Sequence, residues 1–223
     1  MTEKQNFRLG ILAYGSLIDD QGQEISEIKK FSIKCETPFN VEYARKSKTR
    51  GYAPTLIPVN NGGSRVNAVI LVLKDEIDIE NAKSILARRE KHDHGKTAIY
   101  KEPINPGVNH LVIKTCMNFM DVETVLYTSF GCNIDQPITG ETLADLAIQS
   151  ILLEAGRDEM DGLRYLLAAK RNKITTVISE EYENQILSKT GTKSLEEAIE
   201  QLDRKRKMYP LEKITINTLT ENS

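Results

Sequence analysis

Residues 9–17 read LGILAYGSL, and this stretch is the part of the chain from which the fold is best predicted. A short apolar run of this kind predicts a fully buried strand, and glycine at its end permits a sharp turn. The turn consists of Tyr14, Gly15, Ser16 and Leu17. Its backbone N–H groups converge and, with the Ser16 hydroxyl, can bind a carboxylate or a polarised carbonyl. An ordinary turn between a strand and a loop fits the same residues.

The composition of the 223-residue chain is that of an ordinary globular protein, with 39% hydrophobic and 28% charged residues. A formal net charge of -2 argues against a protein that mainly covers nucleic acid. No apolar run approaches the length of a membrane span, and the polar first six residues lack the apolar core of a secretory signal. Cys35, Cys116 and Cys132 form no C-x-x-C pair, which is typical of a reducing cytosol. We therefore expect a cytoplasmic protein that binds neither nucleic acid nor a membrane, with no indication of its oligomeric state.

Segments typical of strands dominate the first 130 residues. After the first strand they lie at residues 31–43, 55–59, 65–73, 99–104, 108–117 and 123–130. Pro38 interrupts the first of these segments, which predicts an irregular or edge strand. Asn and Gly at residues 60–64 predict a hairpin that joins strand 55–59 to an apolar, central strand 65–73. Asp78 is expected to cap a helix that ends near Lys91.

The pattern becomes helical after residue 136. Four helices are predicted there, at residues 139–154, 158–172, 179–190 and 194–207. Thr139 is expected to cap the first, and Ser194 begins a capping box at the start of the last. Strands and helices that are segregated in this way indicate an α+β fold whose sheet forms a barrel or is strongly bent. We expect a domain at residues 7–135 and a helical extension at residues 136–223 that docks on the same core.

Glu90 is the ionisable residue with the clearest catalytic potential. It continues the apolar stripe of Ala82 and Leu86 on its predicted helix, so its carboxyl group should be partly removed from water. Burial and the negative end of the helix dipole both favour the neutral acid, which suits general acid–base catalysis. Adjacent Arg88 and Arg89 could instead hold the carboxylate in an ordinary ion pair at the helix end.

Three other patterns have both a chemical and a structural interpretation. The tract His92-Asp93-His94 resembles a metal site, but a His pair at this spacing needs further ligands and also fits a polar loop. A cysteine could be a nucleophile beside His110, although free cysteines in strands are typically small buried side chains. The basic run at residues 45–52 fits a solvated loop or a positive rim over the site. The chain contains neither common glycine-rich motif for nucleotide phosphates.

The chain resembles the gamma-glutamylcyclotransferase-like family. The Tyr-Gly-Ser-Leu loop after an N-terminal strand matches the family's signature loop. A glutamate one helix later, followed by a strand that begins with tyrosine, is the second landmark, and Glu90 and Tyr100 occupy these places. The resemblance covers about residues 7–130. It implies a mixed β-barrel with flanking helices.

The resemblance also implies an intramolecular acyl transfer that releases 5-oxoproline from a gamma-glutamyl amine, peptide or glutathione. Glu90 would be the general acid and base, while residues 14–17 and Tyr100 would bind the substrate. Such a transferase or lyase of glutathione metabolism needs neither a metal nor a cofactor. A non-catalytic module that keeps the pocket, and recruits a partner through its charged helical extension, is the alternative hypothesis.

Overall fold

The apolar stretch at the start of the chain forms the middle strand of a five-stranded sheet. The structure, a computed structural model, describes residues 7–92 and 97–208. Its strands are β1 (Phe7–Ala13), β2 (Lys29–Glu36), β3 (Asn40–Ser47), β4 (Ala53–Val59), β5 (Asn67–Leu73), β6 (Val112–Phe119) and β7 (Val122–Ser129). Its α-helices are α1 (Gly22–Ile28), α2 (Ile79–Lys91), α3 (Gly140–Leu152), α4 (Glu154–Arg157), α5 (Gly162–Arg171), α6 (Ser179–Thr190) and α7 (Leu195–Met208). The predicted α+β class is confirmed.

The larger sheet is mixed. Its strand order is β2-β5-β1-β7-β6, in which β1 runs parallel to β7 and the other neighbouring pairs are antiparallel. β3 and β4 form a separate antiparallel pair. Since β2 and β6 are the edges of the larger sheet, the strands of the described residues do not close into a barrel.

Two of the predicted strand arrangements are wrong, and a third is correct only in part. The segment 31–43 is divided between β2, which is an edge strand as expected, and β3, which belongs to the other sheet. The expected hairpin between β4 and β5 does not form, because β4 pairs with β3 while β5 pairs with β1 and β2. Residues 60–64 still turn tightly, with Gly62 and Gly63 at positive φ, but the turn carries the chain from one sheet to the other. Residues 99–104 form no strand.

Most helix boundaries follow the predicted capping residues. Asp78 accepts a hydrogen bond from the Asn81 N–H at 2.8 Å, and Thr139 Oγ1 accepts from the Thr142 N–H at 3.2 Å. At the start of α7, Ser194 Oγ accepts from the N–H three residues later at 3.2 Å. The second predicted helix begins later than expected. Asp161 caps α5, and α4 occupies the preceding residues.

Three apolar clusters form the core. On β1, Leu9, Ile11 and Ala13 pack into one cluster with α1 and α2, while Leu12 faces a second cluster on the opposite side of the sheet. This alternation explains why the strand is apolar on both faces. The third cluster joins β3 and β4 to the C-terminal helices, so these helices pack on the smaller sheet. The division into a domain at residues 7–135 and an extension at residues 136–223 stays a prediction.

Candidate functional site

A cavity of about 280 Å³ lies beside the turn that follows β1. Tyr14, Ser16 and Leu17 line it from this turn, and Glu90 lines it from the end of α2. The C-terminal helices contribute Tyr165 to the same lining. The structure therefore brings the turn after β1 and Glu90 into one cavity, although they lie far apart in the sequence.

The predicted loop is a single turn of 3-10 helix at Gly15–Leu17. Tyr14 anchors its start by donating its hydroxyl hydrogen to the Thr128 carbonyl oxygen at 3.0 Å. Burial raises the pKa of Tyr14 well above its ordinary value, and nearby Glu90 raises it further. The phenol is therefore a neutral donor near pH 7. The Ile18 N–H closes the turn by donating to the Gly15 carbonyl oxygen at 3.3 Å. As at the start of any helix, the first N–H groups of the turn have no acceptor within it.

Both the backbone conformation and the close packing at position 15 favour glycine. Its φ of +59° lies in the left-handed region, which side chains with a Cβ rarely adopt. A Cβ at this position would lie 2.7 Å from the Tyr165 hydroxyl oxygen. That hydroxyl also accepts a hydrogen bond from the Leu56 N–H at 3.3 Å. Gly15 therefore does not line the cavity but permits the close approach of Tyr165.

Glu90 lines the cavity and forms an ion pair with Arg89. Arg89 Nη1 donates to Glu90 Oε1 at 2.8 Å, and the two side chains are only 12% and 16% exposed. Arg89 Nη2 also reaches Ser16 Oγ at 3.4 Å. One guanidinium thus joins the carboxylate to the loop. Arg88 points elsewhere, since it donates to Glu24 and to the Ala98 carbonyl oxygen.

Tyr100 lies outside the cavity lining. Its hydroxyl accepts a hydrogen bond from the Ile113 N–H at 3.0 Å, and its own N–H donates to Ser84 Oγ at 3.1 Å. These contacts hold the segment after residue 97 between α2 and β6. The contacts of Tyr100 in the structure are thus structural.

Basic side chains predominate among the charged groups of the cavity. Among the described residues, the cavity is lined by five basic side chains, Arg45, Lys48, Arg50, Arg89 and Lys91, and by two acidic ones, Asp20 and Glu90. Arg45 lies over the Phe130 ring, with 4.3 Å from Cζ to the ring centre, and Arg50 lies over the Tyr165 ring at 4.7 Å. The basic run 45–52 therefore forms a positive rim of the cavity. Its aromatic partners come from distant segments, which the sequence pattern could not reveal.

The metal and thiol hypotheses gain no geometric support. His92 lines the cavity, and burial, with Arg89 as the next cause, lowers its pKa below the ordinary value of histidine. Asp93 and His94 lie outside the described residues. Within the residues that are described, no three His, Cys, Asp or Glu side chains cluster as metal ligands do. None of the three cysteines lines the cavity, and burial raises the pKa of Cys35 to about 11.

No family model matches this chain, and a comparison with curated proteins found no match. The function is therefore inferred from the residues of the cavity and from their geometry. In the described ranges, no helix combines the length and the apolar character that crossing a bilayer requires.

Proposed function

We propose that this protein is a cofactor-independent cyclotransferase that releases 5-oxoproline from a gamma-glutamyl amine, peptide or glutathione. The observation that carries the proposal is the Arg89 guanidinium, which joins Ser16 of the loop to Glu90 in one cavity wall. The loop and the carboxylate are also the features through which the sequence resembles the gamma-glutamylcyclotransferase-like family. Their proximity supports a common role.

The fold supports the same proposal at a coarser level. The described strands form a mixed sheet with helices packed against it, as the resemblance implies, although they do not close into the implied barrel. Residues 7–135 would form the catalytic domain. Residues 136–223 would be a docked extension that contributes Tyr165 to the cavity.

In the proposed reaction, the free α-amine of the gamma-glutamyl group attacks the carbonyl carbon of its own side-chain amide. A C–N bond closes the five-membered ring, and the bond from that carbon to the leaving nitrogen breaks. Glu90 accepts the proton of the attacking amine and returns it to the leaving nitrogen, so no net proton is consumed. Because the attack is intramolecular, holding the amine near the carbonyl carbon supplies much of the rate.

Other groups of the cavity suit the remaining needs of this reaction. The Ser16 hydroxyl and the first N–H groups of the 3-10 turn can donate to the oxyanion that develops on the amide oxygen. Arg89 holds the Glu90 carboxylate in one orientation through its hydrogen bond to Oε1. The excess of basic side chains would attract the α-carboxylate of the substrate.

A non-catalytic binding module is the second candidate, and the ion pair favours it. Arg89 occupies one oxygen of the carboxylate that would have to accept the amine proton. If that contact persists in the complex, the cavity would hold a small anionic ligand without converting it. The helical extension would then be the surface that recruits a partner.

A substrate panel separates the two candidates. The protein is incubated with gamma-glutamyl amino acids, gamma-glutamyl amines and glutathione, and 5-oxoproline is measured by mass spectrometry. The cyclotransferase proposal expects 5-oxoproline from at least one compound, together with an equal amount of the released amine. Saturable binding without product from any compound would support the binding module instead.

A further inference from the structure

Arg50 is a cationic side chain of the cavity to which the proposed chemistry assigns no individual role. It lies in the 3-10 helix Lys48–Arg50 between β3 and β4 and is partly buried. Its Nη1 donates to the Met160 carbonyl oxygen at 3.3 Å, and its guanidinium lies over the Tyr165 ring. Among the described residues, no carboxylate is within ion-pairing distance of this guanidinium.

This environment stabilises the charge of Arg50 poorly. Burial is the main cause that lowers its pKa, and Arg89 contributes in the same direction, while Tyr165, Asp161 and Asp20 oppose it. Removing a cation from water without a paired anion is unfavourable. An anion that enters the cavity would therefore meet a guanidinium that has no carboxylate partner among residues 7–92 and 97–208.

The other basic side chains of the cavity have compensating partners or are exposed. Arg89 is paired with Glu90, and Arg45 Nη1 donates to the carbonyl oxygens of Val108 and Gly131 at 2.9 and 3.3 Å. Lys48 and Lys91 are exposed to solvent. Among the described residues that line the cavity, Arg50 is thus a partly buried cation without a carboxylate partner.

We propose that Arg50 binds the anionic group of the ligand, that this group is a carboxylate, and that Tyr165 is the positioning residue that holds Arg50 in place. A guanidinium presents parallel N–H donors that match the two oxygens of a carboxylate. The Arg50 guanidinium lies against the face of the Tyr165 ring, and the Tyr165 hydroxyl lies beside Gly15 in the loop. The C-terminal helices thereby complete the ligand site. This inference rests on the proposed function, because the carboxylate is taken to be the α-carboxylate of a gamma-glutamyl group.

The test compares two probes that differ only in the carboxylate. Gamma-glutamylethylamide and its α-methyl ester are titrated into the full-length protein, and dissociation constants are measured by NMR. Arg50→Met should weaken binding of the free acid by about 10-fold to 100-fold, which is the range for one charge-assisted hydrogen-bonded contact. Binding of the ester should be unchanged by the substitution. The matched control is Arg171→Met, because Arg171 is exposed and pairs with Glu196 outside the cavity.

Further variants keep the test decisive if Arg50→Met does not fold. Arg50→Lys retains the charge but loses the planar fork, so it should still bind the free acid several-fold more weakly than the wild type does. Tyr165→Phe retains the ring and should retain the preference for the free acid over the ester, whereas Tyr165→Leu should lose that preference. An equal loss for both probes in Arg50→Met, or no loss for either, would overturn the proposal.

Measuring 5-oxoproline in the same samples separates the two proposals. Binding that depends on Arg50 without any 5-oxoproline contradicts the cyclotransferase proposal and supports the role of Arg50. Turnover with a KM that is unchanged in Arg50→Met contradicts the role of Arg50 alone. Absence of saturable binding of either probe to the wild type overturns both.

Discussion

Glu90 and Arg89 are adjacent in the sequence, yet their side chains connect separate parts of the cavity. Arg89 donates to the Glu90 carboxylate and to Ser16 Oγ, so the proposed base and the proposed substrate loop share one hydrogen-bonded partner. Such a partner fixes where the carboxylate points, which matters because a base must lie within hydrogen-bonding reach of the proton it accepts. The proposed role of Glu90 can therefore be tested by comparing a substitution of Glu90 with one of a glutamate outside the cavity.

Glu90→Gln should retain the fold and the affinity for substrate but lose turnover. The amide oxygen can still accept the Arg89 N–H, whereas glutamine cannot accept and return a proton. We expect kcat to fall by about 10²-fold to 10⁴-fold, the usual contribution of a positioned general base, with little change in KM. Glu80→Gln on the same helix is the control, because Glu80 is exposed and pairs with Lys83. A Glu90→Gln protein with wild-type kcat would end the proposed mechanism.

Gly15→Val should abolish ligand binding through Tyr165. Valine at a positive φ is strained, and its Cβ would push the Tyr165 hydroxyl away from Gly15 and from the Leu56 N–H. Gly62→Val is a matched control, since Gly62 has a φ of +70° but, apart from its chain neighbours, no described residue has an atom within 4 Å of the position that a Cβ would occupy. Both variants should lose about 1–2 kcal/mol of unfolding free energy from the backbone. Calorimetry with gamma-glutamylethylamide should show lost binding only in Gly15→Val, and retained affinity there would contradict the role of this contact.

An ion network joins α5 to α7. Asp161 caps α5 and is fully buried, and Arg164 hydrogen-bonds both to it and to Asp203 of α7. Arg206 donates to the other oxygen of Asp203 at 2.9 Å. Partial burial opposes ionisation of Asp203, but the hydrogen bonds from Arg206 and Arg164 prevail and lower its pKa. The network therefore holds α5, which carries Tyr165, against α7.

Asp203→Asn should lower stability in a manner that depends on pH. Because the pKa of Asp203 is lowered in the folded protein, the ionised form stabilises the fold above the unfolded pKa of about 3.9. That stabilisation is lost as the pH falls through the folded pKa. Urea unfolding should show a deficit of about 1–2 kcal/mol at pH 6 that shrinks towards zero below the folded pKa. Asp75→Asn removes the exposed pair with Lys30 and should show a small difference at pH 6. A deficit for Asp203→Asn that is constant with pH would contradict this account.

Helix boundaries were predictable from the sequence because capping is decided within a few residues. Asp78, Thr139 and Ser194 each accept from an N–H three positions later, so their effect does not depend on the rest of the fold. Which strands pair, by contrast, depends on contacts between residues that are far apart in the sequence. The turn at residues 60–64 forms as its glycines predict, yet which strands pair is decided by burial against α2 and the C-terminal helices.

The candidate site also has parts that a local sequence pattern indicates and parts that depend on distant contacts. The turn after β1 and Glu90 could be identified because each belongs to a local pattern at the end of an element. Arg50 could not be assigned a role in this way. Its contact with Tyr165 arises only when α5 packs against the smaller sheet, and a basic run in a sequence looks the same whether it is solvated or partly buried.

At the scale of the whole molecule, the cavity beside Glu90 lies at the junction between the two sheets and the C-terminal helices. Leu12 and Thr128 line it from the larger sheet, Leu56 from the smaller one, and Tyr165 from α5. No single unit supplies all of its walls. Ligand binding and the packing of the helical extension should therefore depend on each other.

Removing the residues after 136 should consequently abolish both stable folding and ligand binding. The truncated chain would expose the face of β3 and β4 that now packs on the helices, where Val41, Tyr43 and Leu56 are buried. Burial of each large apolar side chain contributes about 1.5–3 kcal/mol, and an entire domain is stable by only about 5–15 kcal/mol, so exposing several of them removes most of that margin. We expect a fragment of residues 1–136 to be insoluble, or to unfold without a cooperative transition in urea. A soluble fragment that unfolds cooperatively with the full stability of the whole chain would instead show that residues 136–223 form an independent unit.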